Sequence, residues 1–302
     1  MEILLLAGGL GFFLFGMYTL ENGLKVLCGG RMNLMINAAC KTKLRGVVIG
    51  CAVTTALQSS SSVTVMLVGL AEAGALEAQM TYGLIAGANI GTSSTAWIIA
   101  LSGSEAFNIT SLYPICILLG SLVIILIKNN KAKAIGTLLS GFSLLLAGME
   151  SMTAAILPAV NGRVFEDFTN PAAGFAAGII ITAMIQSSSA SVGILQAVAA
   201  SGMISFELAV PIVMGQNIGT CITAIISSIG CSKNAKKIAL IHLSFNVVGA
   251  VICGALYFVI RNIINLNIPA DPVSVALIHT AFNTVSTIPA LALHGNKQAT
   301  AF

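Results

Sequence analysis

Nine apolar segments follow one another along the chain, and they limit its possible folds more than any other feature. They lie at about 3–20, 46–71, 82–101, 112–127, 134–157, 172–202, 208–229, 238–260 and 273–293. Several of them approach or exceed the roughly 20 apolar residues that cross a hydrocarbon core of about 30 Å. Only 8% of the 302 residues are charged, whereas soluble domains carry roughly a quarter. The chain is therefore predicted to be an all-α polytopic membrane protein surrounded by lipid.

The first apolar segment is expected to be a retained membrane span rather than a signal peptide. Glu2 is the only early charge, so the basic start of a signal peptide is missing. The net charge of +4 is small and its basic residues cluster between apolar segments, so nucleic-acid binding is not expected. The seven cysteines lack metal-binding spacing, so we expect small core side chains and no transition-metal site.

Two polar strings interrupt the apolar segments, and each of them occurs twice. QSSS occupies 58–61 and again 186–189, while NIGT occupies 89–92 and again 217–220. Both pairs are separated by 128 residues. One string could arise by chance, but two strings with the same offset indicate an internal duplication.

Weaker echoes extend the duplication and divide the chain. FGMYTLE at 15–21 is similar to AGMESMT at 147–153, and HLSFN at 242–246 is similar to HTAFN at 279–283. We therefore predict three regions. They are membrane repeat 1 at 1–130, membrane repeat 2 at 131–260, and an additional C-terminal transmembrane segment with a tail at 261–302.

The basic residues predict how the two QSSS-bearing segments enter the membrane. If 46–71 and 172–202 are re-entrant hairpins and the N-terminus is outside, twelve basic residues lie inside and only Arg163 and Arg261 lie outside. If both segments cross, the split becomes ten to four. Cytoplasmic loops collect Lys and Arg, so the re-entrant topology with a cytoplasmic C-terminus is favoured. The twelve are Lys25, Arg31, Lys41, Lys43, Arg45, Lys128, Lys131, Lys133, Lys233, Lys236, Lys237 and Lys297.

This topology makes the halves inverted-topology repeats, each with a QSSS re-entrant helical hairpin. Three crossings separate the hairpins, so the second enters from the opposite face. Secondary transporters commonly have this arrangement, with their sites near the midplane. A hairpin arm of about 12 residues is about 18 Å long, which brings each tip to the bilayer centre.

The hairpin tips offer a site for an anion. Serine hydroxyls donate and accept hydrogen bonds, Gln adds an amide, and the helix after each tip presents free N–H groups. No Lys or Arg lies within 46–101 or 172–230. A multivalent anion there would be costly unless cations accompanied it. Sodium ions could be held by oxygen ligands of the NIGT regions, namely Asn89, Thr92, Ser93, Ser94, Asn217, Thr220 and Thr223.

At these residues the chain resembles the sodium-dependent phosphate cotransporter family (type II Na/Pi), which carries a duplicated QSSS motif. The resemblance covers nearly the whole chain. It implies sodium-coupled symport of inorganic phosphate into the cell, with sodium as the co-transported ion and no cofactor. It also implies phosphate contacts at Gln58, Ser59, Ser60, Ser61, Gln186, Ser187, Ser188 and Ser189, and phosphate or sodium contacts at Asn89, Thr92, Asn217 and Thr220. The site need not be symmetric, because Ser62 corresponds to Ala190 and Thr55 to Ala183.

Several alternatives stay open at this stage. Serines in membrane helices can serve only for close packing. A passive or proton-coupled anion transporter or channel would also need a polar path. An intramembrane serine protease would normally have a GxSG nucleophile motif, which is missing from this sequence. We expect His242 and His279 to cap or cross-link helices through Asn246 and Asn283. Glu21 and Glu150 are expected to have interfacial or packing roles.

The expected location is the cell membrane, with a bacterial inner membrane favoured and lipid as the surroundings. A homodimer is a candidate assembly. Many bacterial members of the family continue into a PhoU-like domain, and this sequence stops at Phe302, soon after its last apolar segment. The sodium to phosphate ratio stays open.

Overall fold

The computed structural model describes residues 2–28, 42–102, 112–156 and 170–293. In these ranges the chain is almost entirely helical, which confirms the prediction of an all-α protein. A short 3-10 helix, Ala78–Thr81, accompanies twelve α-helices. These are α1 Glu2–Cys28, α2 Lys43–Leu57, α3 Ser60–Glu72, α4 Tyr82–Ser102, α5 Tyr113–Leu126, α6 Asn130–Ile156, α7 Pro171–Ile185, α8 Ser188–Ala200, α9 Phe206–Gly219, α10 Cys221–Ser227, α11 Lys233–Arg261 and α12 Pro272–Leu293.

Five stretches of the described chain are long and apolar enough to cross a membrane. They are Glu2–Leu27, Ala78–Ser102, Asn130–Ala155, Phe206–Ser227 and Lys233–Arg261. Two predicted segments differ in detail. The segment predicted at 112–127 forms the 14-residue helix α5, and the segment predicted at 208–229 is interrupted between α9 and α10. Arg31, Lys41, Arg163 and Lys297 of the topology argument lie outside the described residues.

Helix α1 packs along α6 in the opposite direction, and glycines allow the two backbones to touch. A Cβ on Gly16 would lie 2.4 Å from the backbone N of Leu145, and one on Gly148 would lie 2.3 Å from that of Phe13. Helix α5 reaches α6 through a similar contact between Gly120 and Gly136. Helices α1, α5 and α6 therefore form a tightly packed group beside the QSSS-bearing helices.

Helices α2 and α4 lie side by side and run in the same direction. Gly46 of α2 faces Gly83 at the start of α4, and Thr54 near the end of α2 faces Gly91. The chain leaves α2 at Gln58 and must return before α4 can start beside the start of α2. Helix α3 therefore runs back against the direction of α2, and the QSSS string lies at the bend.

The second QSSS string lies in an equivalent arrangement. Gly174 of α7 faces Leu208 of α9, and Thr182 further along α7 faces Gly219 at the end of α9. Helices α7 and α9 thus also run in the same direction, and α8 returns between them. Each half of the chain therefore places its QSSS string at a bend between two short helices.

The N-termini of α11 and α12 are tied to the loops that follow these bends. The backbone N–H of Ser232 donates to Glu72 Oε2 at 2.6 Å, and the Asn234 side chain bonds both Leu76 and Ala78. At α12, the corresponding ties are backbone bonds between the segments 204–207 and 266–270. Each of these long helices is therefore anchored to the end of one bent pair.

Candidate functional site

Both bends have the same unusual backbone conformation. Gln58 and Gln186 have φ of 54° and 57°, in the left-handed region, and they are the non-glycine residues with positive φ in the described part of the chain. For an L-residue this conformation costs roughly 1–2 kcal/mol. Such cost tends to be retained at functional sites, where the surrounding structure enforces the conformation. The bends are therefore the first place to look for a binding site.

The first serine of each QSSS string caps the helix that follows the bend. Ser59 Oγ accepts from the Ser62 N–H at 3.2 Å, and Ser187 Oγ accepts from the Ala190 N–H at 3.2 Å. The next two serines occupy the first helical turn, where N–H groups have no acceptor within the helix. Each bend therefore presents free N–H donors, hydroxyls and the positive end of a helix dipole.

The first bend touches the second half of the molecule directly. Ser189 Oγ donates to the Gln58 carbonyl oxygen at 3.1 Å and lies 3.3 Å from Thr95 Oγ1. Thr95 Oγ1 in turn donates to Gln58 Oε1 at 2.5 Å. These three residues are 3–4% exposed. The structure therefore brings together Gln58 and Ser189, two of the predicted phosphate contacts, around a threonine of α4.

The second bend is more open. Gln186 is exposed, in contrast to Gln58. Ser188, two residues later, is nevertheless buried at 5% exposure. The hydroxyl of Thr223, which the sequence placed among the sodium ligands, is buried and has no hydrogen-bond partner. The predicted contacts of the two halves are thus equivalent in sequence but differ in their surroundings.

The NIGT residues are buried in α4, in α9 and at the junction of α9 with α10. Asn89, Thr92, Ser93, Asn217 and Thr220 are 3–6% exposed. Most of their hydrogen bonds stay within their own helix: Thr92 bonds the Ala88 carbonyl, Asn217 that of Val213 and Thr220 that of Gln216. Ser94 bonds the Gly91 carbonyl. No hydrogen bond among the described residues joins these side chains to the QSSS serines.

The HxxFN asparagines cross-link helices, but the histidines take less part than predicted: His279 Nδ1 lies 3.3 Å from Asn283 Nδ2, whereas neither ring nitrogen of His242 has a hydrogen-bond partner. Asn283 Nδ2 donates to Ser93 Oγ at 3.0 Å, and Asn246 Nδ2 donates to Cys221 Sγ at 3.3 Å. Cys221 lies 128 residues after Ser93, so the two contacts are equivalent. Helix α12 is thereby fixed to α4, and α11 to α10. His242 and His279 are fully buried beside these asparagines.

Other buried polar residues were missed by the sequence analysis. Thr95 completes the contact between Gln58 and Ser189, and Gln216 Nε2 donates to the Ser191 carbonyl at 3.0 Å. A signal for Thr95 was present, because it lies 128 residues before Thr223. Gln216 has no such signal, because Ala88 occupies its equivalent position.

Helices α3, α4, α8, α9 and α10 carry no basic residue, and their acidic residues, Glu72 and Glu207, lie at helix ends. In the described residues, no group of three or more His, Cys, Asp or Glu side chains could hold a metal ion. The bends therefore present N–H groups and hydroxyls, the donors by which proteins bind anions without a basic side chain.

Removing one serine hydroxyl per bend tests this arrangement. We expect Ser60→Ala and Ser188→Ala each to weaken phosphate binding about 10- to 100-fold, because hydrogen bonds to charged groups contribute about 1.5–3 kcal/mol. Phosphate binding to purified protein measures the effect. Ser102→Ala is the matched control, since the Ser102 hydroxyl is also buried in a helix and bonds the Ile98 carbonyl of that helix. Wild-type binding by both site variants would remove the serines from the site.

Together, the apolar helices and the charge-free polar bends define a helical membrane protein with an internal polar site, the class to which transporters belong. A family model described as "Na+/Pi-cotransporter" matches residues 12–154 and 159–267. The chain belongs to the Na+/Pi-cotransporter family.

Individual relatives agree with the family. A Bacillus subtilis protein, "Uncharacterized protein YqeW", is 29% identical over 79% of this chain and 77% of its own length. The Escherichia coli "Putative inorganic phosphate export protein YjbB" is 24% identical over 83% of this chain, and the match spans 46% of that protein. The rat "Sodium-dependent phosphate transport protein 2A" is 43% identical over 67 residues, which are 21% of this chain and 10% of that protein. No solved structure is detectably similar.

Proposed function

We propose that this protein carries inorganic phosphate across the cell membrane together with sodium ions, by alternating access. The observation that carries the proposal is the contact between the bends. Ser189, in the first turn of α8, bonds Gln58, which caps the end of α2 two residues before α3 begins, and helices α3, α4 and α8 around this contact carry no basic side chain. Such a site suits an anion that arrives with its own cations.

Phosphate would contact both bends. The proposed contacts are the side chains and first-turn N–H groups of Gln58, Ser59, Ser60, Ser61, Gln186, Ser187, Ser188 and Ser189. Ser59 and Ser187 cap their helices by accepting from N–H groups, which leaves their hydroxyl protons available as donors. Ser59 Oγ also lies 2.8 Å from Ser62 Oγ, so its proton can be donated to Ser62 or to phosphate.

Sodium would bind to oxygen atoms of the NIGT regions. The proposed ligands are Asn89, Thr92, Ser93, Asn217, Thr220 and Thr223. Thr92 and Thr220 donate their protons to carbonyl groups of their own helices, which leaves hydroxyl lone pairs for a cation. Sodium at these positions would offset the charge of a phosphate dianion in the apolar interior.

The proposed topology is a pair of inverted repeats with re-entrant hairpins at α2–α3 and α7–α8. Helices α2 and α3 have 15 and 13 residues, or about 23 and 20 Å at 1.5 Å per residue, so neither spans the hydrocarbon core. Asn283 bonds Ser93 and Thr280 bonds Trp97, which supports an α12 antiparallel to α4. The bridge between Ser205 and Pro269 and the packing of Met214 against Phe282 support an α12 parallel to α9, and hence an α9 antiparallel to α4. The N-terminus would be outside.

The direction of transport has a second candidate. The Escherichia coli relative is named as a phosphate export protein, so outward transport of phosphate is an alternative to uptake. The same site would serve both directions, because a carrier runs down the combined gradient of its ions.

Uptake into proteoliposomes tests the proposal. We expect a sodium gradient to drive radioactive phosphate uptake, and lithium, potassium or a proton gradient alone to give at most about a tenth of that rate. Reversing the sodium gradient should drive efflux from preloaded vesicles. Uptake that is independent of sodium would contradict symport and favour a passive or proton-coupled anion pathway.

A further inference from the structure

Three residues of each half form two equivalent sets around the bends. Gln58, Thr95 and Ser189 form the first set, here called the closed cluster. Moving each member by the 128-residue offset gives Gln186, Thr223 and Ser61, here called the open cluster. Each set takes a Gln and a Thr from one half and a Ser from the other. The closed cluster is joined by hydrogen bonds, and α10, which carries Thr223, packs against α3, which carries Ser61, and against α7, which ends beside Gln186.

The closed cluster is fully hydrogen-bonded. Thr95 donates to the side chain of Gln58, and Ser189 donates to the backbone carbonyl of Gln58 and lies within hydrogen-bond distance of Thr95. Gln58 Nε2 donates to the Thr55 carbonyl at 2.6 Å. Both polar atoms of the Gln58 side chain therefore have partners, and these bonds hold Gln58 in its buried position at the first bend.

The open cluster has the same side chains without these bonds. Thr223 Oγ1 is buried and unpartnered, and Gln186 is exposed at the second bend. A buried hydroxyl without a partner costs about 1–3 kcal/mol. The structure therefore holds one set satisfied and its equivalent unsatisfied.

The backbone differs between the halves at the same place. Helix α4 continues without a break through Asn89 and Thr95 to Ser102. In the equivalent stretch of the second half, α9 ends at Gly219 and α10 starts at Cys221, two residues before Thr223. The interruption is one residue long: Thr220 keeps right-handed helical dihedral angles and its N–H bonds the Gln216 carbonyl, so the unsatisfied threonine follows a slight irregularity of the helix.

We propose that Thr95 and Thr223 are positioning residues that hold Gln58 and Gln186 in alternation. In a second conformation Thr223 donates to Gln186 Oε1, Ser61 donates to the Gln186 carbonyl, and α9 joins α10. The closed cluster opens at the same time, so the first bend becomes accessible.

The exchange keeps the number of hydrogen bonds constant, so these bonds by themselves favour neither conformation. Donating its proton leaves the Thr223 oxygen able to contact a cation. The inference rests on alternating access in the proposed function and names the side chains that exchange.

Valine in place of each threonine tests the exchange, because it keeps the shape and removes the hydroxyl. Thr223→Val removes the unsatisfied hydroxyl and should favour the present structure, in which the closed cluster is hydrogen-bonded. Thr95→Val removes the bond that shuts the first bend and should favour the other conformation. Each shift should be about fivefold, as expected for one hydrogen bond of about 1 kcal/mol.

Two reporter cysteines read the shift while every side chain of both clusters is kept, and the backbone carbonyl of residue 55, which accepts from Gln58, is also kept. Thr55→Cys and Ala183→Cys lie one turn before Gln58 and Gln186, are 128 residues apart and are half-buried. Each is placed in a protein that keeps Cys221, which is fully buried and bonds Asn246, and in which the other six native cysteines are replaced by alanine. A membrane-impermeant maleimide is then applied to right-side-out and to inverted vesicles, without phosphate.

The expected result is a mirrored pattern. Thr223→Val raises labelling at position 183 and lowers it at position 55, whereas Thr95→Val does the reverse from the opposite face. Thr95→Ser and Thr223→Ser, which keep the hydroxyl, restore the labelling of the parent protein. A general loss of packing would raise labelling at both reporters.

Labelling that stays unchanged, or that moves in the same direction at both reporters, would overturn the exchange. Should Thr95→Val fail to fold, Thr223→Val decides alone, because it removes a hydroxyl that bonds nothing here. Labelling requires neither phosphate nor sodium. A failure of sodium-driven uptake would therefore leave this test intact, and a failed exchange would leave the uptake result intact.

Discussion

Gly87→Ala and Gly215→Ala are expected to reduce the recovery of folded protein by on the order of tenfold, with uptake falling in proportion. A Cβ on Gly87 would lie 2.0 Å from the Val47 carbonyl oxygen, and one on Gly215 would lie 2.1 Å from that of Phe175. Both neighbours are backbone atoms inside a helix and cannot rotate away. Overpacking of this kind costs typically about 1–3 kcal/mol and separates the helices.

The effect matters because these contacts set the position of each bend. Gly87 fixes α2 against α4, and Gly215 fixes α7 against α9, so the bends at Gln58 and Gln186 depend on them. Gly69→Ala is the matched control, since a Cβ there meets nothing within 4 Å and alanine favours a helix. Recovery is measured by gel filtration of detergent-solubilised protein. Equal recovery of all three variants would show that the helices are not in the close contact described.

The positions of the two bends could be predicted from the sequence, but their shape could not. Polar strings within apolar segments marked Gln58 and Gln186, because polar backbone at membrane depth needs partners within the protein. The left-handed conformation of both glutamines carries no sequence signal, since glycine or asparagine would be expected there. Steric enforcement by the packed helices α2 and α4, and α7 and α9, supplies it.

The asymmetry of the site is a second feature that the repeat conceals. The 128-residue offset predicts equal roles for Thr95 and Thr223, yet only Thr95 is hydrogen-bonded. A chain with two equivalent halves can satisfy them alternately, and a sequence holds no record of which half is satisfied. The cross-links of Asn246 and Asn283 were foreseeable because they repeat a residue pattern. The hydrogen bond between Glu72 and Ser232 could not be foreseen, because it joins residues that are 160 positions apart in the sequence.

Gln186→Lys is expected to remove most of the sodium dependence of phosphate binding and to slow sodium-driven uptake at least about tenfold. The wild-type bends carry no basic side chain, so the proposed sodium ions supply the positive charge. Gln186 is exposed, which leaves room for a lysine. At an effective dielectric constant of about 20, unit charges 4 Å apart attract by about 4 kcal/mol, or roughly 10³-fold in affinity.

The same charge should impair transport while it strengthens binding. A fixed ammonium group remains in the empty site, so the empty carrier must reorient with a charge exposed to an apolar interior. Phosphate also dissociates slowly, because the ammonium group attracts it. Gln186→Met, which has similar length and no charge, is the control and should bind phosphate weakly with and without sodium. Binding and uptake are measured on one preparation with and without sodium. Because only a cation beside the phosphate can substitute for sodium, weak sodium-free binding by Gln186→Lys would place the anion away from the second bend.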